Sequence, residues 1–167
     1  MASIIKVDQI QTAAGGTPTA ADLGINVNGN TLQVVRDSIA SNISTSSTSY
    51  VATGHTVTIT PKFANSIILV ELKGGRIWLP SSGTQIDVSV AINGDTSALD
   101  NRRIASFYAD GSTRIHGPVY GAEYFTNVGT SAVTYSVYFK VSSANTSYLN
   151  DAGSSLQQTL VATEIAG

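Results

Sequence analysis

Apolar and polar residues alternate with a period of two along most of the chain. From His55 to Thr60, Val57 and Ile59 fall on one face and Thr56, Thr58 and Thr60 on the other. Such alternation places successive side chains on opposite sides of an extended strand. Pro61 ends this strand by removing a backbone donor. From Gln85 to Asn93, Ile86, Val88, Val90 and Ile92 point one way, and Asp87, Ser89 and Ala91 the other. Asn93-Gly94-Asp95 then makes a turn. Val133, Tyr135, Val137, Phe139 and Val141 share one face of a strand over 133–141. Residues 67–72 are apolar on both faces at their start, as a central strand is. Further strands are predicted over 31–36, 118–126, 145–150 and 159–165, the last with Val161, Thr163 and Ile165 alternating. Gly129-Thr130-Ser131 suits a turn joining 118–126 to 133–141 as an antiparallel hairpin. Eight or nine strands at near-regular spacing predict an all-β chain: a single antiparallel β-sandwich, jelly-roll-like, with an extended N-terminal arm.

The arm is the part that breaks the pattern. Ile4, Ile5, Val7 and Ile10 form one short apolar segment, interrupted by Lys6 and Asp8 and too small to fold alone. Ala13 to Pro18 breaks structure, Thr19 to Gly24 reads as one helical turn, and Asn28-Gly29-Asn30 is a turn. The expected division is a docking arm and linker over 1–30 and a sandwich over 31–167. The competing reading makes 1–30 an edge strand of the main domain.

Composition agrees with strands. Ser and Thr supply 40 of 167 residues, while charged residues are only 12%. Nine basic against eleven acidic residues, net charge −2, give no electrostatic reason to bind nucleic acid. The absence of cysteine removes disulfides, thiolate metal sites and thiol nucleophiles. The longest clean apolar run, Ile67 to Val70, is far short of a membrane span, so no membrane insertion is expected. The N-terminus lacks a signal-peptide core, which predicts synthesis in a cytoplasm. Release inside a virus particle is one route by which such a chain reaches the outside.

Catalytic signals are sparse. His55 and His116 are the two histidines, and each reads first as a strand or loop residue. No Gly-x-Ser-x-Gly elbow or phosphate-binding glycine loop is present. Asp95, Asp100, Asp110 and Glu123 are the carboxylates that a hydrolase would need across a cleft. The expectation is no enzyme and no cofactor. A binding surface is the better prospect. Trp78, Tyr108, Arg114, His116 and Tyr120 are aromatic or multi-donor residues suited to stacking on sugar rings and bonding their hydroxyls. Burial in the core or at a subunit interface is the alternative use of Trp78 and the tyrosines.

Two stretches carry a family resemblance. Ser44 to Val51 is a hydroxyl-rich track ending in Tyr-Val, followed by His55-Thr56-Val57-Thr58-Ile59-Thr60-Pro61 and Asn65-Ser66-Ile67-Ile68-Leu69-Val70. The closing strands, Val133 to Val141, Asn145 to Asn150 and Leu160 to Gly167, form the second. Together with Ser3-Ile4-Ile5-Lys6-Val7-Asp8-Gln9-Ile10-Gln11, they resemble tail-fibre and fibre-like structural proteins of marine and cyanobacterial bacteriophages. The resemblance implies a virion appendage, commonly a homotrimer, whose arm docks on other virion proteins and whose β domain faces outward; a host-surface glycan is the ligand that the aromatic and multi-donor residues above would suit. It transfers no active site. A capsid-decorating head protein and a free-standing carbohydrate-binding module are the alternatives. Residues 73–125 match the family loosely, Lys73-Gly74-Gly75-Arg76-Ile77-Trp78 least of all.

Overall fold

The computed structural model describes residue 11 and residues 15–16, 28–80, 83–110, 115–126, 128–151 and 156–167. Ile4, Ile5, Val7, Ile10, the turn expected over 19–24, and Arg114 lie outside these residues. Ten strands occupy the described residues: β1 Thr31–Ile39, β2 Ile43–Thr45, β3 Val51–Ile59, β4 Ile67–Leu79, β5 Thr84–Ile92, β6 Arg103–Ala109, β7 Ile115–Phe125, β8 Val133–Val141, β9 Ser147–Asn150 and β10 Gln158–Ile165. A single 3-10 turn spans Leu99–Asn101.

The strands form two antiparallel sheets. In the first, Ile68 of β4 faces Glu164 of β10 on one side and Phe125 of β7 on the other, so β4 is central. β1 lies beyond β10, which gives the order β1-β10-β4-β7. The second sheet runs β3-β8-β5-β6. Most connections cross from one sheet to the other, and this ordering of eight strands is a jelly roll. The small β2-β9 ladder extends the first sheet beside the far end of β4.

The inward halves of the alternating patterns meet between the sheets. Ile68, Val70 and Leu72 from β4 pack with Ile86, Val88 and Val90 from β5 and with Tyr135, Val137 and Phe139 from β8. Phe125 and Tyr135 close the layer with ring centroids 4.9 Å apart. Val57 and Ile59 are buried as their period requires.

Four details depart from the pattern. The expected hairpin of 118–126 with 133–141 does not form. β7 pairs with β4 in one sheet, and β8 pairs with β3 and β5 in the other. Both strands have the right period, and period alone does not choose a partner. Asp87, Ser89 and Ala91 point away from the core as expected, but they are buried. The 3-10 turn and Tyr50 fold over them: Ser89 Oγ donates to the Leu99 carbonyl at 2.7 Å and lies 3.0 Å from Tyr50 Oη. β6 interposes a strand where no pattern predicted one. It begins at Arg103, which lies 3.4 Å from Asp87. In β10 the core-facing set is Leu160, Ala162 and Glu164, which leaves Val161, Thr163 and Ile165 on the outer face.

A buried carboxylate explains that phase. Glu164 accepts from Ser66 Oγ at 2.6 Å, Gln33 Nε2 at 2.6 Å, the Lys62 amide at 2.7 Å and the Phe63 amide at 3.3 Å. Burial pushes its carboxyl up. The hydrogen bonds to the ionised form outweigh that and hold it below its ordinary value. The same pole receives the chain from its N-terminal side. The Gly29 amide donates to the Ala166 carbonyl at 2.8 Å, and the Ala166 amide donates to the Asn30 carbonyl at 2.9 Å.

Candidate functional site

β4 has thirteen residues because it contains a bulge. Between Gly74 and Ile77 it advances three residues, while its partner β7 advances two, from Val119 to Gly117. Gly74 and Gly75 have φ of +81° and +67°, values that suit glycine. A Cβ on Gly74 would stand 2.6 Å from the Gln157 carbonyl oxygen, and one on Gly75 would stand 2.7 Å from Asn150 Oδ1. Polar ties hold the bulge. The Gly75 amide donates to the Gln157 carbonyl at 2.8 Å and the Asp151 amide to the Arg76 carbonyl at 2.8 Å. Arg76 forms an ion pair with Asp151. Asn150 Nδ2 donates to the Ser41 carbonyl at 2.9 Å, and Gln158 Nε2 to the Leu149 carbonyl at 3.2 Å.

The bulge has two consequences. First, it reverses the phase of the strand. Ile68, Val70 and Leu72 face the core before it, and Ile77 and Leu79 face the core after it. Trp78 would continue the inward set in an unbroken strand; the extra residue turns it to the outer face. Second, the bulge marks where β10 gives way to β9 as neighbour of β4. Trp78 is therefore flanked by Tyr148 of β9 on one side and His116 of β7 on the other. Its ring meets Tyr148 edge-on at 5.2 Å and 78°, and His116 edge-on at 6.4 Å and 71°. Trp78 and Tyr148 are half-buried and His116 is exposed.

This row lies far from where the chain enters the sandwich. Ile67 pairs with Ile165 at the pole where residues 28–30 dock, and Trp78 is eleven residues along the same strand. At about 3.3 Å per residue the separation is roughly 35 Å.

Of the residues singled out from sequence, the fold brings Trp78 and His116 together. Tyr120 stands on the same face opposite Lys73, about 13 Å from His116 at strand spacing. It is 63% exposed. Tyr108 is also exposed but belongs to the other sheet, opposite Gln85 on β5. Tyr148 joins the row without having been singled out. Its alternation along a short strand was legible, but its neighbour across the sheet was not.

Two of the four carboxylates singled out, Asp95 and Asp100, are engaged elsewhere. Asp95 accepts from the Ser97 hydroxyl and amide, which lower its pKa, and lies 3.7 Å from Arg102. Asp100 accepts from Lys140 Nζ at 2.7 Å, and this bond is the main cause of its lowered pKa. His55 is buried at the side of the sandwich, its Nε2 3.3 Å from the Asp37 carbonyl and 3.6 Å from the Asp37 carboxylate. Among the described residues no group of three or more His, Cys, Asp or Glu side chains could hold a metal ion. No helix among them is long and apolar enough to cross a membrane.

The row can do one kind of chemistry well. Aromatic faces carry negative charge, and the C–H bonds on a sugar ring's flat face present positive charge to them. Because Tyr148 and His116 stand edge-on to Trp78, a sugar stacked on one ring meets the edges of its neighbours, with His116 nitrogens available for hydroxyl groups.

Comparison of the chain with protein-family models returns no match, and neither does comparison with curated proteins. Among solved structures, the chain is similar in shape to viral particle proteins. The VP2 subviral particle of infectious bursal disease virus matches with a TM-score of 0.46 and 11% identity over 82% of this chain. The T13 viral particle of the same virus matches with a TM-score of 0.42 and 10% identity over 98% of this chain. The Gx strain structure gives a TM-score of 0.39 and 10% identity over 84%. The chain spans about a third of the length of these structures, 34%, 36% and 32% in the same order. The jelly roll rests on its own strand pairing and takes no support from them.

Proposed function

We propose that this chain is a structural subunit of a virus particle: a short homotrimeric appendage, tail fibre or fibre tip, that docks through its N-terminal residues and attaches to a host-surface glycan through its sandwich. It acts by binding, without catalysis. Jelly rolls serve viral capsids, lectins and cupins alike, so the fold does not choose among them. The observation that carries the reading is polarity. Residues 28–30 join the sandwich at one pole, and the Trp78 row sits roughly 35 Å away along β4. An adhesin needs this separation, because its anchor and its ligand lie on opposite sides of it. The resemblance of residues 3–11 and of the strand motifs to phage fibre proteins supports the same reading.

The test uses the full chain on an array of bacterial surface polysaccharides, with Trp78 fluorescence as the second readout. Trp78 is the only tryptophan, so its emission reports one site. Binding of a polysaccharide with a change in emission, weakened at least tenfold by Trp78→Ala, supports attachment. Silence across the array with unmoved emission sinks it. The capsid-decoration reading would then stand, tested by imaging particles that carry a gold label on the chain's first residues.

A further inference from the structure

The outer face of β7 carries more than one end of the Trp78 row. Alternation places His116, Pro118, Tyr120, Ala122 and Tyr124 on it, and Val119, Gly121, Glu123 and Phe125 on the opposite face. His116, Pro118, Tyr120 and Tyr124 are exposed, the two tyrosines at 63% and 62%. Successive rings stand four residues apart, about 13 Å at strand spacing. The line therefore runs roughly 26 Å from the Trp78 row towards the pole where the chain enters. Its support is firm. β7 pairs with β4 from Ile115 to Phe125. A Cβ on Gly121 would stand 2.5 Å from the Ile104 carbonyl oxygen, so β6 lies directly against the strand from behind. The Tyr120 hydroxyl lies 3.5 Å from Glu71 Oε1, which steadies that ring across the face.

Resting on the glycan reading above, we propose that the sugar site continues along β7 and that its ligand is a linear, uncharged polysaccharide laid along the strand. A line one side chain wide, with regular spacing, suits a linear polymer of rings. A folded partner needs a patch that extends in two dimensions. The tyrosine rings offer flat apolar faces to the C–H faces of successive sugars, with Pro118 and Ala122 as low ground between them. Rings already fixed on a paired strand lose little freedom when a ligand settles on them. Charge then selects among polymers. β7 has no Lys or Arg, and its one acid, Glu123, alternates to the opposite face. On the adjoining face of β4, Lys73 Nζ lies 3.4 Å from Glu71 Oε2, so that pair cancels. A single-stranded nucleic acid or an acidic polysaccharide would meet no unmatched Lys or Arg among the described residues of this line, and both need cations.

The test uses the full chain and ladders of oligosaccharides, from disaccharide to octasaccharide, cut from cellulose, mannan, dextran and each neutral polysaccharide that the chain binds on the array. Titration calorimetry reads affinity, and Trp78 emission reads occupancy at one end of the line. For the sugar that binds, affinity is expected to rise at least tenfold from disaccharide to hexasaccharide, the length that spans the line, and to level off beyond it. Tyr124→Ala is expected to weaken the hexasaccharide at least tenfold and leave the disaccharide unchanged. Tyr124→Phe keeps the stacking ring and binds as the wild type does. Tyr108→Ala removes a comparably exposed tyrosine from the other sheet and changes neither length. Tyr124 and Tyr108 are surface residues, and unchanged circular dichroism checks that each variant folds. A hexasaccharide that moves Trp78 emission yet gains nothing over the disaccharide overturns the inference and leaves the glycan reading standing. So does Tyr124→Ala acting on neither length or on both alike, and so does emission that moves with alginate, an acidic polymer, and with no neutral one. A chain that binds no sugar of any length overturns both.

Discussion

Glu164 is buried, yet four donors converge on it, from β1, the β3–β4 connection and Ser66. Glu164→Gln places an amide N–H₂ against those donors. Replacing this hydrogen-bonded buried carboxylate is expected to cost about 1–3 kcal/mol, measured by urea unfolding at pH 7. The pH dependence follows from the direction of its shift. A carboxyl held below its ordinary value in the folded state contributes stability above the unfolded pKa, near 4.3, and loses it as pH falls through the folded value. The gap between wild type and Glu164→Gln is therefore expected to be full at neutral pH and to narrow below about pH 4. A constant gap across that range would mean the ionised form is not what the site favours. Tyr135 is the opposite case. Its hydroxyl is buried without a hydrogen-bond partner among the described residues, and burial pushes its pKa up to about 12. Tyr135→Phe removes that hydroxyl and keeps the ring against Phe125. The expected change is zero to about 1 kcal/mol of added stability, because an unpaired buried polar group costs free energy. A loss greater than 1 kcal/mol would show that the hydroxyl is bonded.

The bulge in β4 is the element on which the candidate site depends. Gly75→Ala meets both a left-handed φ and Asn150 Oδ1 at 2.7 Å. Gly94→Ala, at a turn with φ +79° and open space around it, meets the φ cost alone. Gly94→Ala is expected to cost about 1–2 kcal/mol, and Gly75→Ala about 1–3 kcal/mol more. Only Gly75→Ala is expected to change Trp78 emission, since it disturbs the junction that sets Tyr148 beside Trp78. Equal losses with unchanged emission in both would mean the bulge does not position the row. The segment Lys73 to Trp78, which matches the fibre pattern least, forms this bulge. Two glycines insert one residue, reverse the strand's phase and exchange β10 for β9 as neighbour.

For the whole molecule, the proposed glycan site and the proposed trimer have separable effects on binding. Trp78→Ala removes contact with the glycan at each copy and leaves the oligomer intact. A chain diluted until its trimer dissociates keeps each site and loses multivalency. Its apparent affinity for a glycan-coated surface is expected to fall by about 10²–10⁴-fold, while titration with free glycan followed by Trp78 emission stays unchanged. Surface binding that survives monomerisation within tenfold would show that attachment does not use several copies at once.

The sequence by itself determined most of the strands, β6 excepted, and most of the core. Val57, Ile59, Ile86, Val88, Val90 and the inward set of β8 were legible because a period of two fixes which side chains share a face. It also determined the all-β class and the sparse charge. Only the tertiary structure decided partnership. A period of two is the same for every neighbour, so the pattern joined β7 to β8 when β7 pairs with β4. Phase was decided the same way. Glu164 faces inward because distant residues hydrogen-bond it, and Val161, Thr163 and Ile165 face outward as a result. Trp78 and His116 were found as residue types suited to stacking, but their meeting, and the arrival of Tyr148, came from a bulge and a change of neighbour that no local pattern encodes.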